Sequence, residues 1–347
     1  MMKPFNRFKW KQTAAAILLA SVTLVAAACG NNANSASGDA ADGKPVKVRF
    51  ALDTAAGGSL QFRVAEEQGL FDKYGIDAEI ANFAYGIDTI NAMLVERSDT
   101  GTAADYALLN SLSKGDFKVV STLTRETENQ AAATVLIAKG DDINEPKDLV
   151  GKKLGVAKGT VYEYIWYKFL EKEGINPDDI KFVPYSTPDE ALIGVQKGQI
   201  DAVWAASIFI DKFLALDGAK KIGDLSSAEA NISSYFVLQT KFIEEHPEAV
   251  ENILKAVSEA IGYVEGHKEE TAELAFKELK LPKEGVLKDL EQLTYTIGFT
   301  QEDFTHLEEM KQFIKDKGIL QQDFDLKTKL SLEPLKQAFP DSVTYKP

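Results

Sequence analysis

Tyr85-Gly-Ile-Asp-Thr89, followed by Asp99-Thr-Gly-Thr-Ala-Ala-Asp105, has an echo about a hundred residues further on, in Tyr185-Ser-Thr-Pro-Asp189 followed by Asp201-Ala-Val-Trp-Ala-Ala-Ser207. In each copy a β-rich run ends at a tyrosine and a helical pattern follows. A short polar turn with an aspartate then leads into a strand whose far end opens another helix. Two βα units also look alike without any repeat, so the echo has two readings; taken as a repeat, it predicts two similar α/β lobes.

Outward from this pair the pattern alternates. Val46 to Leu52 is β-rich, a Gly-rich turn follows, Ser59 to Gln68 is amphipathic, Ile76 to Asn82 is a second β-rich run and Ile87 to Val95 a second helical stretch. Further strands are expected at Thr100 to Ala103, Phe117 to Leu123, Ala132 to Ala138, Lys153 to Ala157, Ile180 to Tyr185 and Ala202 to Ala205. Such alternation predicts an α/β fold with a mainly parallel sheet covered on both faces. The chain is expected to leave the first lobe near Arg125 to Thr134 and to return near Asn231 to Leu238. Residues 46–128 and 235–347 then form one lobe and 129–234 the other, with two crossings as a hinge. Beyond Phe242, apolar positions recur three and four apart through Ala249 to Val264 and Lys268 to Lys280, the pattern of helices packed around the first lobe.

The amino terminus reads as a targeting segment, residues 1–28. Lys3, Arg7, Lys9 and Lys11 precede an apolar run, Ala14 to Ala28, that is short for a membrane span. It ends in Val25-Ala-Ala-Ala-Cys29-Gly30, which looks like a bacterial lipobox. Cys29 is the single cysteine of the chain and stands where small residues meet a polar tract, so it is expected to carry a lipid anchor. Residues 29–45 are rich in Asn, Ser, Ala and Gly and would serve as a flexible tether. Removing the leader takes 39 Lys and Arg to 35 against 53 Asp and Glu, a net charge of −18. That balance argues against nucleic acid and anionic lipid as partners of the surface. A monomer is expected.

Three local features could carry chemistry. In Gly155-Val-Ala-Lys-Gly159-Thr160-Val161-Tyr162 a strand ends, small residues turn the chain and a helix begins near Thr160. The open N–H groups of that helix start suit an oxyanion, while an N-cap by Thr160 explains the same residue types. Asp53-Thr-Ala-Ala-Gly57-Gly58-Ser59 follows the first strand and would face it across the cleft. Asp53 and Asp105 there favour an amine or another donor-bearing ligand, unless they cap the next helices. Tyr85 is the candidate for stacking on a ligand, whereas Trp166 and Trp204 lie on apolar runs and are expected in the core. Glu126, Glu128 and Asn129 in the first crossing are either ligand contacts or a solvated charge cluster.

Enzyme signatures are missing. His246, His267 and His306 are isolated, no His/Cys/carboxylate set has metal spacing, and no Gly-x-Ser-x-Gly occurs. No metal, cofactor or catalytic residue is expected.

The chain resembles the solute-binding proteins of ABC importers for aliphatic sulfonates, taurine and nitrate, a family that also includes thiamine-pyrimidine binders. The resemblance runs from about Val46 to His267. It rests on Ala65-Glu-Glu-Gln-Gly-Leu-Phe71 before Tyr74-Gly-Ile-Asp-Ala-Glu79, on Asp148-Leu-Val-Gly-Lys-Lys-Leu-Gly-Val156 and on Lys197-Gly-Gln-Ile-Asp-Ala202. It implies a two-lobed periplasmic-binding-protein fold of type II, an ABC permease as partner and an extracytoplasmic location. The site is expected between the lobes, with Asp53, Tyr85, Gly86, Ala104, Asp105 and Glu126 facing Gly159, Thr160, Val161, Ala206 and Ser207. Sulfonate binders of the family commonly carry a Trp-Asp-Pro-like turn where this chain has Ala206-Ser207-Ile208, which widens the expected ligand to amine-containing, sulfonate-like or heterocyclic solutes. The cysteine-rich motif of the pyrimidine-forming relatives is absent.

Overall fold

The computed structural model describes residues 44–54, 59–125 and 134–347, which belong to one compact unit. The leader, Cys29, most of the tether, Gly57, Gly58, Glu126, Glu128 and Asn129 lie outside the described residues.

The β-branched and aromatic runs form strands β1 (Val46–Asp53), β2 (Ile76–Phe83), β3 (Thr100–Ala104), β4 (Phe117–Arg125), β5 (Thr134–Lys139), β6 (Lys153–Val156), β7 (Lys181–Pro184), β8 (Ala202–Ala206), β9 (Ala219–Asp224), β10 (Ser234–Gln239) and β11 (Thr294–Gly298). They make two sheets, ordered β11-β4-β10-β3-β1-β2 and β7-β6-β8-β5-β9. With helices on their faces these are the two lobes of an α/β fold.

The sheets are mixed, which corrects the expectation of mainly parallel pairing. β1 pairs in parallel with β2 and β3, and β6 with β7 and β8. β10 runs antiparallel to β3 and β4, β11 to β4, and β5 to β8 and β9. The reason is topological. Strands of βα units run toward the face where the lobes meet, whereas β5 and β10 begin at the crossings on that face and must run away from it. β9, β10 and β11 were not foreseen; the first carries Lys220, Lys221 and Gly223 and has no clean alternation.

The echo is a structural equivalence. In the order β2-β1-β3-β10 and β7-β6-β8-β5, Ser234 stands opposite Ala104 and Thr134 opposite Ala206. Each repeat aspartate locks two parallel strands at their start. Asp99 Oδ2 accepts the Arg49 N–H at 2.8 Å while its own N–H donates to Arg49 O at 2.9 Å. Asp201 does the same to Lys153, at 2.8 and 2.7 Å.

Burial follows from the patterns. In the first lobe Phe50 stacks on Phe71 with ring centroids 4.9 Å apart, and Phe62 meets Phe236 at 5.0 Å. Helix Pro247–Gly266 buries Val250, Ile253, Leu254, Val257, Ile261 and Val264 along one stripe and packs on helices Leu60–Glu67 and Leu70–Lys73. In the second lobe Trp166 and Trp204 are both buried and meet edge to face at 5.8 Å. The Trp166 Nε1–H donates to Gly155 O at 2.8 Å, so a polar handle inside the core is satisfied.

Candidate functional site

A cavity of about 120 Å³ lies between the sheets, where the ends of β1, β3, β4 and β8 meet the starts of β5 and β10. In open α/β sheets this is the end at which loops and helix starts converge on a ligand. Asp53, Ala104, Thr124 and Ser234 line it from the first lobe, with Tyr85, Gly86 and Ile87 at the start of helix Gly86–Leu94. Thr134, Thr160, Val161, Tyr162, Ala206 and Ser207 line it from the second. Thr124 and Ser234 hydroxyls are 2.6 Å apart, which ties β4 to β10 at the rim.

Eight of the expected residues therefore share one cavity: Asp53, Tyr85, Gly86, Ala104, Thr160, Val161, Ala206 and Ser207. Gly86 is there for a steric reason. A Cβ on it would lie 2.8 Å from Ala103 Cα, so only glycine lets the helix start sit on β3. Tyr85 is 5% exposed and meets Tyr162 edge-on, centroids 6.2 Å apart. Burial raises the pKa of both phenols above the usual range, so both remain neutral donors.

Asp105 and Gly159 do not line the cavity, and Glu126 lies outside the described residues. Asp105 is fully buried: Oδ1 accepts the Tyr106 N–H at 2.7 Å, and Oδ2 accepts the Ser233 N–H at 3.0 Å and meets His306 Nε2 at 2.6 Å. It is not the helix cap, since Ala104 holds the N-cap position and Asp105 is the first residue of helix Asp105–Leu109, and His306, isolated in sequence, is its partner. Gly159 has φ +76, the left-handed turn that precedes the helix, and its N–H donates to Glu163 Oε2 at 2.9 Å. Thr160 is the N-cap, its Oγ1 accepting the Tyr162 N–H at 3.2 Å. Thr160 N–H and Glu163 N–H are bonded to Ala157 O and Thr160 O. Most donors of the expected oxyanion cradle are thus already occupied.

Sequence reading missed Asp289 and Gln292, which reach the cavity from helix Lys283–Gln292 of the carboxyl-terminal region. The helix crosses to the second lobe: Ser207 Oγ–H donates to Asp289 Oδ2, and Lys288 Nζ lies 3.6 Å from Asp211 Oδ2. Gly285 makes the crossing possible, because a Cβ there would fall 2.1 Å from Ile208 Cγ2. Burial pushes the Asp289 carboxyl up to about 6, against the opposing effects of the Ser207 hydrogen bond and the Lys288 charge. The only cue in sequence was an aspartate and a glutamine three apart on one helix face, which solvated helices share.

Among the described residues no group of three or more His, Cys, Asp or Glu side chains is placed to hold a metal ion, and no helix is long and apolar enough to cross a membrane.

Comparison with known proteins agrees with the two-lobed fold. A Bacillus subtilis (strain 168) protein named for the binding of aliphatic sulfonates is 28% identical over 296 residues, 81% of this chain and 84% of its own. The alkanesulfonate-binding protein SsuA from Xanthomonas axonopodis pv. citri, solved bound to MOPS, superposes with a TM-score of 0.70 at 17% identity, covering 84% of this chain and 99% of that one. The desulfurization enzyme DSZB shares the fold with a TM-score of 0.61 at 16% identity, covering 85% and 99%. The model of the NMT1/THI5-like family matches residues 59–271, from the loop after β1 to the first turn of helix Lys268–Leu279, and the chain belongs to that family.

Proposed function

We propose that this chain is the extracytoplasmic solute-binding component of an ABC importer, which takes a small polar organic solute into the cavity between its lobes and presents it to a permease. The observation that carries the reading is that the cavity walls come from both sheets at the point where the chain crosses between them. Closure of two lobes about such crossings buries a ligand on both sides. The expected solute class is sulfonate-like, taurine-like, nitrate-like or pyrimidine-like, and the sulfonate-binding and taurine-binding names of the relatives support its first two members. Lipid on Cys29 would hold the monomer at the membrane.

A thermal-shift screen of sulfonates, nitrate, amines and pyrimidines tests the role. A ligand at a hundredfold its dissociation constant stabilises by about 2.7 kcal/mol, so a true solute raises the melting temperature by several degrees. No shift from any class would refute it. The DSZB fold match motivates a second reading, an enzyme in the same cleft. Recovering the bound solute unchanged after prolonged incubation removes that reading.

A further inference from the structure

We infer that Tyr85 is a positioning residue of the solute site: rooted in the first lobe, its ring is the knob that fastens the second lobe over the cavity. The inference deepens the solute-binding reading and rests on it for what the lobes enclose. The backbone of Tyr85 belongs to the first lobe. It precedes helix Gly86–Leu94, whose start is held on β3 by the close approach of Gly86 to Ala103 and by the Thr89 hydroxyl, which donates to Gly86 O at 2.9 Å and to Thr102 O at 2.8 Å. The side chain belongs to the second lobe. Its ring is buried in an apolar cluster whose other buried members, Tyr185, Ala191 and Phe213 among them, all lie between residues 135 and 213.

The socket fits the ring closely. A small cavity of about 10 Å³ beside it, lined by Tyr162, Tyr185, Pro188, Ala191 and Phe213 as well as Tyr85, has room for one water. No part of a solute follows the ring there. Tyr85, Tyr162 and Ala206 line both this socket and the solute cavity, so the ring is part of the wall between them. Tyr85 and Tyr185 are the echoed tyrosines of the two repeats, and here they meet, close enough for each phenol to affect the ionisation of the other. The neighbouring contact has the same form. Ile87 packs against the same cluster, and a Cβ on Gly159 would lie 3.5 Å from Ile87 Cγ1, so the turn of the second lobe sits directly on the helix start of the first.

Other contacts also join the lobes, and they are of a different kind. Lys288 with Asp211 and Lys317 with Glu171 are ion pairs between partly or largely exposed groups, which water replaces at little cost. The bond from Ser207 to Asp289 likewise exchanges for bonds to water. Tyr164 meets Tyr106 and Phe313 with centroids 6.1 and 5.1 Å apart, on helices tied to the return crossing through Asp105, Ser233 and His306. That contact lies beside the hinge and persists through a rotation about it. A ring withdrawn from an apolar socket finds no substitute in water. Because the Tyr85 contact exists only when the lobes are docked, it shifts the population toward the docked form.

Hydrogen exchange and small-angle scattering of the purified chain test the inference without a solute, so their failure leaves the solute-binding role standing, and a flat thermal-shift screen leaves the role of the ring readable. In Tyr85→Ala the amides of residues 157–162 are expected to exchange roughly tenfold faster or more and the radius of gyration to grow, while the amides of β6 keep their rates within about threefold. Tyr85→Phe keeps the ring and should stay within about twofold of the unsubstituted chain. Ala191→Leu crowds the socket from the second lobe, and Ala191 does not line the solute cavity. It should open the lobes as Tyr85→Ala does, and the double variant should open them no further than either alone. Where one of the two fails to fold, the other decides. Unchanged exchange and radius in Tyr85→Ala overturn the inference, as does an equal acceleration in β6, which would make the ring an ordinary part of the second lobe's core. Opening by Tyr85→Phe to the same extent overturns the role of the ring, and a double variant as open as the sum of the two overturns its pairing with the socket.

Discussion

His306 Nε2 lies 2.6 Å from Asp105 Oδ2, and that oxygen also accepts the amide N–H of Ser233. One contact thereby joins helix Gln301–Asp316, the exit of β3 and the return crossing before β10. Burial opposes the charged imidazole, but the hydrogen bond and charge of Asp105 outweigh it, with Glu309 and Asp303 adding to the effect, so the His306 pKa stands above its usual value. A raised value means the proton stabilises the fold. The contribution is full below the unfolded value, near 6.5, and is lost as pH rises through the folded one. His306→Ala should cost about 2 kcal/mol at pH 6 and less at pH 9, measured by urea unfolding. An equal deficit at both pH values would mean that packing, not the charge, makes the contact.

Asp289 has linkage of the same sign in a lower pH window. Its carboxyl, near 6, is raised by burial, so the folded chain holds the proton more tightly than the unfolded one and stability falls as pH climbs from about 4 to about 6. Asparagine keeps an acceptor for Ser207 and removes the charge. Asp289→Asn should therefore stabilise the ligand-free chain by about 1–2 kcal/mol at pH 8, less than full linkage because the group is only partly buried, and by almost nothing at pH 4. Melting curves across pH check this; a variant less stable at pH 8 would count against it.

Gly285 meets Ile208 where helix Lys283–Gln292 reaches the second lobe. Gly285→Ala should push the two apart, cost about 1–3 kcal/mol and weaken solute binding. Adding Ile208→Ala should restore most of both. Failure of the second substitution to rescue would show that the close approach does not hold the helix.

Asp99 and Asp201 fill the same place in the two sheets. Each alanine substitution leaves a strand N–H without its carboxylate and should cost about 1–3 kcal/mol. With the sites in different sheets, the double variant should equal the sum within about 0.5 kcal/mol. Chemical denaturation of the four proteins reads this directly.

The strands β1 to β4 and β6 to β8 were legible because each is bounded within a few residues by its own turn chemistry, such as the Gly-Ile-Asp after Tyr74 or the Gly-Gln-Ile before Asp201. β10 was not, since Tyr235-Phe-Val-Leu238 is as apolar as a buried helix, and only its place between β3 and β4 makes it a strand. Tyr85, Thr160 and Ser207 were legible for the same local reason as the strands: they stand at strand ends that open helices.

By itself the sequence determined the βα order, the repeat of Tyr85 to Asp105 in Tyr185 to Ser207, and the residue types at the strand ends, because periodicity and turn chemistry act over a few neighbouring positions. Tertiary structure alone decided which of those groups face the cavity. Asp105 turns inward because a histidine 201 positions away meets it, and Asp289 enters the cavity wall because Gly285 lets its helix close on a lobe 82 positions back from Asp289 at Ser207. Such long-range contacts leave no local pattern, and they set the walls of the site.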